Sequence, residues 1–271
     1  MGDAPDYDAI KGKQQKAWDT GDYAAVAHQV QLCAEGLPSS AGLLAGQNVL
    51  DVAAGSGNAS LAAARRGCRV TALDYVPSLL ERARTRAEAE RLPIEIVEGD
   101  AEDLPFADAE FDAVISVLGV MFAPNQERAA AELARVCRPG GAIALVVWPG
   151  DDFVGEIFKS MAPFVTPPPG VRPPFAWSSP ERLGQLFGAL ATDIELVERE
   201  VSFTAPTLDA FVDLWTLYYG PTAAAYAALD DAGRAGFRAA FEALGERRDT
   251  NAGSEALLIP ARYNEVLVRR A

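Results

Sequence analysis

Residues 49–57, Val-Leu-Asp-Val-Ala-Ala-Gly-Ser-Gly, carry an apolar, strand-like run straight into two glycines separated by one residue. A second apolar run follows and ends at Asp74. The pattern reads as strand, tight turn, helix and strand. Glycines at the turn let a ligand approach the backbone, and an acid at the end of the second strand is placed to accept hydrogen bonds from ribose hydroxyls. Such an opening restricts the chain to an α/β sheet that holds an adenosine-containing group beside its strand ends.

The choice of group follows from the turn. A dinucleotide site wants a third glycine where the helix packs on the strand, but the run here is Gly55-Ser56-Gly57-Asn58-Ala59-Ser60. Asp51, on the first strand, would repel a pyrophosphate and suits a cationic sulfonium or an ammonium group. With Leu50-Asp51-Val52-Ala53-Ala54-Gly55-Ser56-Gly57-Asn58 as its first motif, the sequence resembles the class I S-adenosylmethionine-dependent methyltransferases, in particular the small-molecule enzymes of the ubiquinone-biosynthesis type. Three further segments match that family in order: residues 94–106 with Asp100, residues 111–119 with Ser116, and Leu133 to Gly141, which ends in Pro-Gly-Gly. The resemblance implies S-adenosylmethionine as cofactor and S-adenosylhomocysteine as product. It also implies a cofactor set of Asp51, Ala53, Gly55, Ser56, Gly57, Asp74, Tyr75, Asp100, Ala101, Glu102 and Ser116, in which Asp100 takes the place of the acid that meets the adenine amino group.

Charge narrows the acceptor. The net charge is −14, and residues 95–112 hold eight acids and no base. A protein that tracks nucleic-acid phosphates needs a basic stripe to release counterions, so a small-molecule acceptor is expected and nucleic acid is not. Three cysteines far apart and one histidine, His28, give neither a disulfide framework nor a metal site with two imidazoles; no metal is expected. No apolar run reaches the length of a membrane span, and the start of the chain lacks a signal pattern, so a cytoplasmic monomer or homodimer is the expectation.

Along the 271 residues, strands are predicted near 48–54, 68–74, 94–98, 112–117 and 142–148. Helices are predicted at 58–66, from Pro77 through a mostly solvated stretch to Arg91, and at 125–138, where Pro-Gly-Gly stops the helix. Residues 9–35 read as helical with a break at 19–21, followed by a connector at 37–40. Prolines punctuate 163–180, residues 207–247 read as helical and aromatic-rich, 192–204 reads as a strand, and 256–269 reads as a last strand or hairpin. The expected fold is α/β: a Rossmann-like, doubly wound, seven-stranded and mostly parallel sheet whose antiparallel edge hairpin is implied by the resemblance. It is read as one domain over 1–271, with a core at about 40–150, an N-terminal helical cap at 1–40 and a lid-like helical insertion at about 207–247, before the last strand.

The chemistry expected is methyl transfer by in-line displacement, which depends mainly on placing a nucleophile about 3–3.5 Å from the methyl and excluding water. A hydroxyl or amine acceptor would need a base, and His28 has the right ordinary pKa range; Tyr23 is the second catalytic candidate. Trp18, Tyr23, Met121, Phe122, Tyr218 and Tyr219 are the residues expected to line the acceptor pocket. Two alternatives stay open at this level: an NAD(P)-dependent oxidoreductase, and a non-catalytic S-adenosylmethionine-binding module.

Overall fold

The computed structural model describes residues 5–251 and 253–271. In chain order the regular elements are α1 (Tyr7–Trp18), α2 (Tyr23–Ala27), α3 (Gln31–Ser40), β1 (Asn48–Val52), α4 (Asn58–Arg65), β2 (Arg69–Asp74), α5 (Pro77–Glu90), β3 (Ile94–Glu98), β4 (Phe111–Val117), α6 (Gln126–Val136), β5 (Cys137–Val147), α7 (Phe153–Met161), α8 (Pro180–Phe187), β6 (Ala191–Ala205), α9 (Leu208–Asp213), α10 (Gly220–Ala227), α11 (Asp231–Arg248) and β7 (Leu257–Arg270). Helix starts follow side-chain chemistry. Asp6, Asp22, Asn125, Ser179, Thr207 and Asp230 each accept a backbone N–H of the first turn that the helix itself leaves unpaired.

The strands form one seven-stranded sheet in the order β3-β2-β1-β4-β5-β7-β6. Strands β1 to β5 run parallel, and β7 lies antiparallel to β5, with Ala142 opposite Arg269 and Val147 opposite Asn264. The order reverses between β1 and β4. In open α/β sheets that reversal leaves a crevice outside the strand ends, where ligands bind. The central strands bury most of their apolar residues, as covered parallel strands do: Val49, Leu50 and Val52 on β1, Val114 and Ile115 on β4, Ile143 to Val147 on β5.

Backbone contacts group the chain into two compact units, neither of them contiguous, where the sequence reads as one domain. One contains Gln31–Trp148, Arg172–Arg199 and Tyr263–Ala271, and so holds β1 to β5 with α3 to α6 and α8. The other contains the chain up to Val30, Pro149–Val171 and Glu200–Arg262. The expected cap at 1–40 thus ends at Val30, because α3 buries Cys33, Ala34, Leu37 and Pro38 within the sheet unit. That burial also overrides the connector expected at 37–40, and Pro38 sits inside the last turns of α3.

The second unit is built around aromatic rings. Phe153 meets Phe203, Phe211 and Trp215 at centroid separations of 5.3, 6.2 and 5.8 Å, and Phe237 stacks on Phe241 at 4.9 Å. Residues Leu214–Tyr218 form a π-helical turn, a rare form within helices that recurs at functional sites.

Pro139-Gly140-Gly141 does not stop α6. The helix ends at Val136, and the three residues bulge from β5: the pairing with β4 jumps from Phe111–Cys137 to Ala113–Ala142. A Cβ at Gly141 would lie 2.7 Å from both the Asp112 oxygen and the Cys137 sulfur, so only glycine fits the bulge. Among the described residues no helix is long and apolar enough to cross a membrane.

Candidate active site

Backbone strain marks the crevice. Ala53 and Leu118, the first residue after β1 and the first after β4, both hold left-handed backbone conformations, at φ 54° and 55°. Non-glycine residues adopt this region at a cost and cluster there at functional sites. Gly55 and Gly57 follow with φ 54° and 84°, and the turn they shape delivers the chain into α4. A Cβ at Gly119 would collide with the Ala53 carbonyl oxygen and lie 2.8 Å from the Ala53 Cβ, so the loops after β1 and β4 touch there.

Two carboxylates stand under this turn. Asp51 is fully buried on β1; its Oδ2 accepts from the Ser60 hydroxyl of α4 at 2.6 Å, while its Oδ1 has no hydrogen-bond donor. Burial pushes its carboxyl up to about 7, against the hydrogen bonds from Ser60 and with help from the neighbouring Asp74 charge. Asp74, at the end of β2, accepts from the backbone N–H groups of Gly55 (2.8 Å) and Val76 (2.9 Å). Burial raises it to about 6, the backbone donors notwithstanding. A buried carboxylate oxygen without a donor calls for a partner: a ligand ammonium would supply the missing donor, and a sulfonium would supply compensating positive charge without one. On this ground the residues present fit S-adenosylmethionine.

Tyr75 connects the two acidic segments. Burial first, then the charges of Asp74, Asp100 and Glu102, push its phenol well up. Asp100 folds its own loop, accepting from the Glu102 N–H at 2.9 Å; Ala101 between them is half-buried. Glu102 is buried and turned toward α6, where its Oε1 accepts from the Asn125 N–H at 2.7 Å. Ser116 is fully buried. Its hydroxyl donates to the Val52 carbonyl (2.7 Å) and accepts from the Val120 N–H (2.9 Å), which ties the end of β4 to the end of β1. The Ser56 side chain is likewise buried.

The acceptor candidates fall in both units. Met121 is buried and Phe122 half-buried in a single 3₁₀ turn, Val120–Phe122, directly after β4. In the other unit, Trp18 meets Tyr23 and Tyr219 edge to face, each at 5.5 Å. Tyr219 is buried within that cluster, so it packs as core and does not line an open wall; Tyr218 is exposed. His28 is exposed at the end of α2. Sequence reasoning missed Ser60, which holds Asp51 from α4, and Arg86, which donates to the Ser56 carbonyl at 2.6 Å from α5. An apolar, alanine-rich helix hides the first, and a charge on a helix read as solvated hides the second. Among the described residues, no group of three or more His, Cys, Asp or Glu side chains is gathered to hold a metal ion.

Comparison with known proteins bears on the same segments. The family model described as "Methyltransferase domain" matches residues 50–145. An uncharacterised protein of Mycobacterium tuberculosis is 42% identical over 223 residues, 80% of this chain and 80% of that protein. A demethylmenaquinone methyltransferase of Deinococcus radiodurans is 33% identical over 160 residues, 53% of this chain and 66% of that enzyme. The crystal structure of the YcgJ protein from Bacillus subtilis superposes with a TM-score of 0.58 at 20% identity, covering 90% of this chain and 99% of that one, and shares its fold. The oxidoreductase alternative is thereby set aside: with its seven-stranded sheet and S-adenosylmethionine as cofactor, the chain belongs to the class I S-adenosylmethionine-dependent methyltransferases.

Proposed function

We propose that the chain methylates a small, partly apolar molecule by in-line displacement and releases S-adenosylhomocysteine. The observation that carries this reading is the pair of buried carboxylates, Asp51 and Asp74, beneath a left-handed glycine turn at the point where the strand order reverses. S-adenosylmethionine, when bound, supplies an already activated methyl on a sulfonium. The protein's share is placement. Asp74 and the Gly55-Ser56-Gly57 turn would hold the ribose and amino-acid ends, Asp100 the adenine, and Asp51 the positive charge. The acidic balance of the chain and its likeness to a demethylmenaquinone methyltransferase favour a small ring-bearing acceptor over a nucleic acid. Met121 and Phe122, in the turn after β4, are the proposed acceptor contacts. For a hydroxyl acceptor, His28 is the proposed base.

Calorimetry with S-adenosylhomocysteine tests the cofactor half: wild type binds saturably, and Asp74→Ala loses about tenfold or more. Unchanged affinity in that variant removes the ribose assignment. Methyl-labelled S-adenosylmethionine, offered with quinols, phenols, small amines and bulk RNA, tests the acceptor half. Label in the solvent-extractable fraction is expected; label only in precipitated RNA refutes the small-molecule reading.

A further inference from the structure

The cofactor turn hangs on an unbroken string of hydrogen bonds whose far end is Arg86. Asp74 Oδ2 accepts from Gly55 N–H at 2.8 Å; the same peptide's carbonyl, on Ala54, accepts from Gly57 N–H at 2.9 Å; and the carbonyl of that next peptide, on Ser56, accepts from Arg86 Nη1 at 2.6 Å. Two peptide groups thus stand head to tail between a carboxylate and a guanidinium. Each N–H points toward the negative end and each C=O toward the positive end. Such an alignment strengthens every bond in the series, because each polarises the next. Arg86 Nη1 also donates to Asn58 Oδ1 at 2.7 Å, so the same nitrogen fixes both the turn and the first residue of α4.

The helix that carries Arg86 is pressed against the turn. A Cβ at Gly57 would lie 3.0 Å from the Ala83 Cβ, one helical step before Arg86 on the same face of α5. Half-buried, Arg86 stands apart from its neighbour Arg65, whose guanidinium serves Glu90 and Glu35 on the outer surface and makes no bond to the turn. A guanidinium is weakly hydrated for a cation, and the acceptors at 56 and 58 satisfy its Nη1 donor.

We propose that Arg86 is a positioning residue for the cofactor: it fixes the peptide planes at 54–55 and 56–57, and through them the Asp74 carboxylate, in the arrangement that receives S-adenosylmethionine. It touches the turn and not the reacting atoms. The proposal rests on this cofactor assignment, and wild-type binding of S-adenosylhomocysteine reports on that assignment separately.

The test compares Arg86→Met, Arg86→Lys and Arg65→Met by calorimetry with S-adenosylhomocysteine, each with a thermal melt. Methionine keeps the stem's packing and removes the donors. Loss of a charged hydrogen bond to the turn should weaken binding about tenfold or more in Arg86→Met. Lysine carries its charge about an ångström short of Nη1 and should recover part of that loss. Arg65→Met should bind within about twofold of wild type. Wild-type affinity in Arg86→Met overturns the proposal. So does an equal loss in Arg65→Met, because a general weakening of the α4–α5 pair would then explain both. Should Arg86→Met fail to fold, Arg86→Lys decides: wild-type affinity there overturns the proposal, and binding weakened about threefold or more in a protein that melts as wild type supports it.

Discussion

Gly119→Ala is the sharpest steric test of the crevice. The backbone at Gly119 has φ −112°, which any residue adopts, so the added methyl brings no conformational strain of its own. Its cost is contact alone. The new Cβ would overlap the Ala53 carbonyl oxygen, lie 2.8 Å from the Ala53 Cβ and 3.2 Å from the Ser116 hydroxyl. The first two atoms belong to a residue with no rotamer to change, already held at φ 54°. Relief therefore requires the two loops to separate by about an ångström, a cost of about 1–3 kcal/mol. In a chain of this size that corresponds to a fall in melting temperature of about 3–10 °C. A displacement of this order in the residues around the glycine turn should also weaken S-adenosylhomocysteine binding by about tenfold or more. Gly184→Ala in α8, where nothing lies within 4 Å of the new methyl, is the matched control and should stabilise by about 0.5–1 kcal/mol. The double variant Ala53→Gly/Gly119→Ala removes one contact and the left-handed strain but leaves the carbonyl, and should recover part of the loss. Thermal melts and calorimetry at one temperature read all four proteins. A Gly119→Ala protein that melts and binds as wild type refutes the loop contact and the crevice geometry built on it.

Asp51 and Asp74 bind protons more tightly folded than unfolded, so their protonation favours the folded state. That contribution is complete below about pH 4 and is lost as pH rises through about 6 for Asp74 and about 7 for Asp51. For Asp51 the change is on the order of 4 kcal/mol, and Asp51→Asn should flatten the fall in stability between pH 4 and 7; denaturant melts at pH 5 and pH 8 with an unaltered slope would contradict it. Ser60→Ala should push the Asp51 carboxyl higher still and lower stability at pH 8 by about 1–3 kcal/mol, since the buried charge then keeps only the backbone N–H at position 60; equal melts at pH 8 would deny the hydroxyl bond. Phe237→Ala empties the stack on Phe241 and should lower stability by about 3–5 kcal/mol, measured by urea unfolding followed through tryptophan fluorescence, with a loss below 1 kcal/mol counting against it.

Much of the site was legible because it rests on local grammar. Gly55 and Gly57 sit where the backbone turns left-handed, Asp74 closes β2 as its run of apolar residues implied, and Pro77 starts α5. What escaped depends on partners distant in sequence. Pro139-Gly140-Gly141 carries the usual marks of a helix stop, but the decisive contact is with Asp112 on the neighbouring strand, which makes it a bulge. Leu37 and Pro38 look like a connector until their burial is known. Alternating charges on α5 suggested a solvated helix, yet Leu79, Leu80, Ala83 and Ala87 are buried and Arg86 reaches a carbonyl thirty positions earlier. Glu102 and Ser116 occupy the expected segments, but their side chains tie loops together.

The sheet order has a consequence for synthesis. The inner edge of β5 can be closed only by β7, whose partners Asn264 to Arg269 are translated roughly 120 residues after Val147, or about 6–25 s later at ribosomal speed. Through that interval Ile143 to Val147, a wholly apolar run, presents unpaired backbone groups to whatever is nearby. If that open edge governs folding yield, added holdase should raise yield in expression hosts and slower, cooler synthesis, which prolongs the exposure, should lower it.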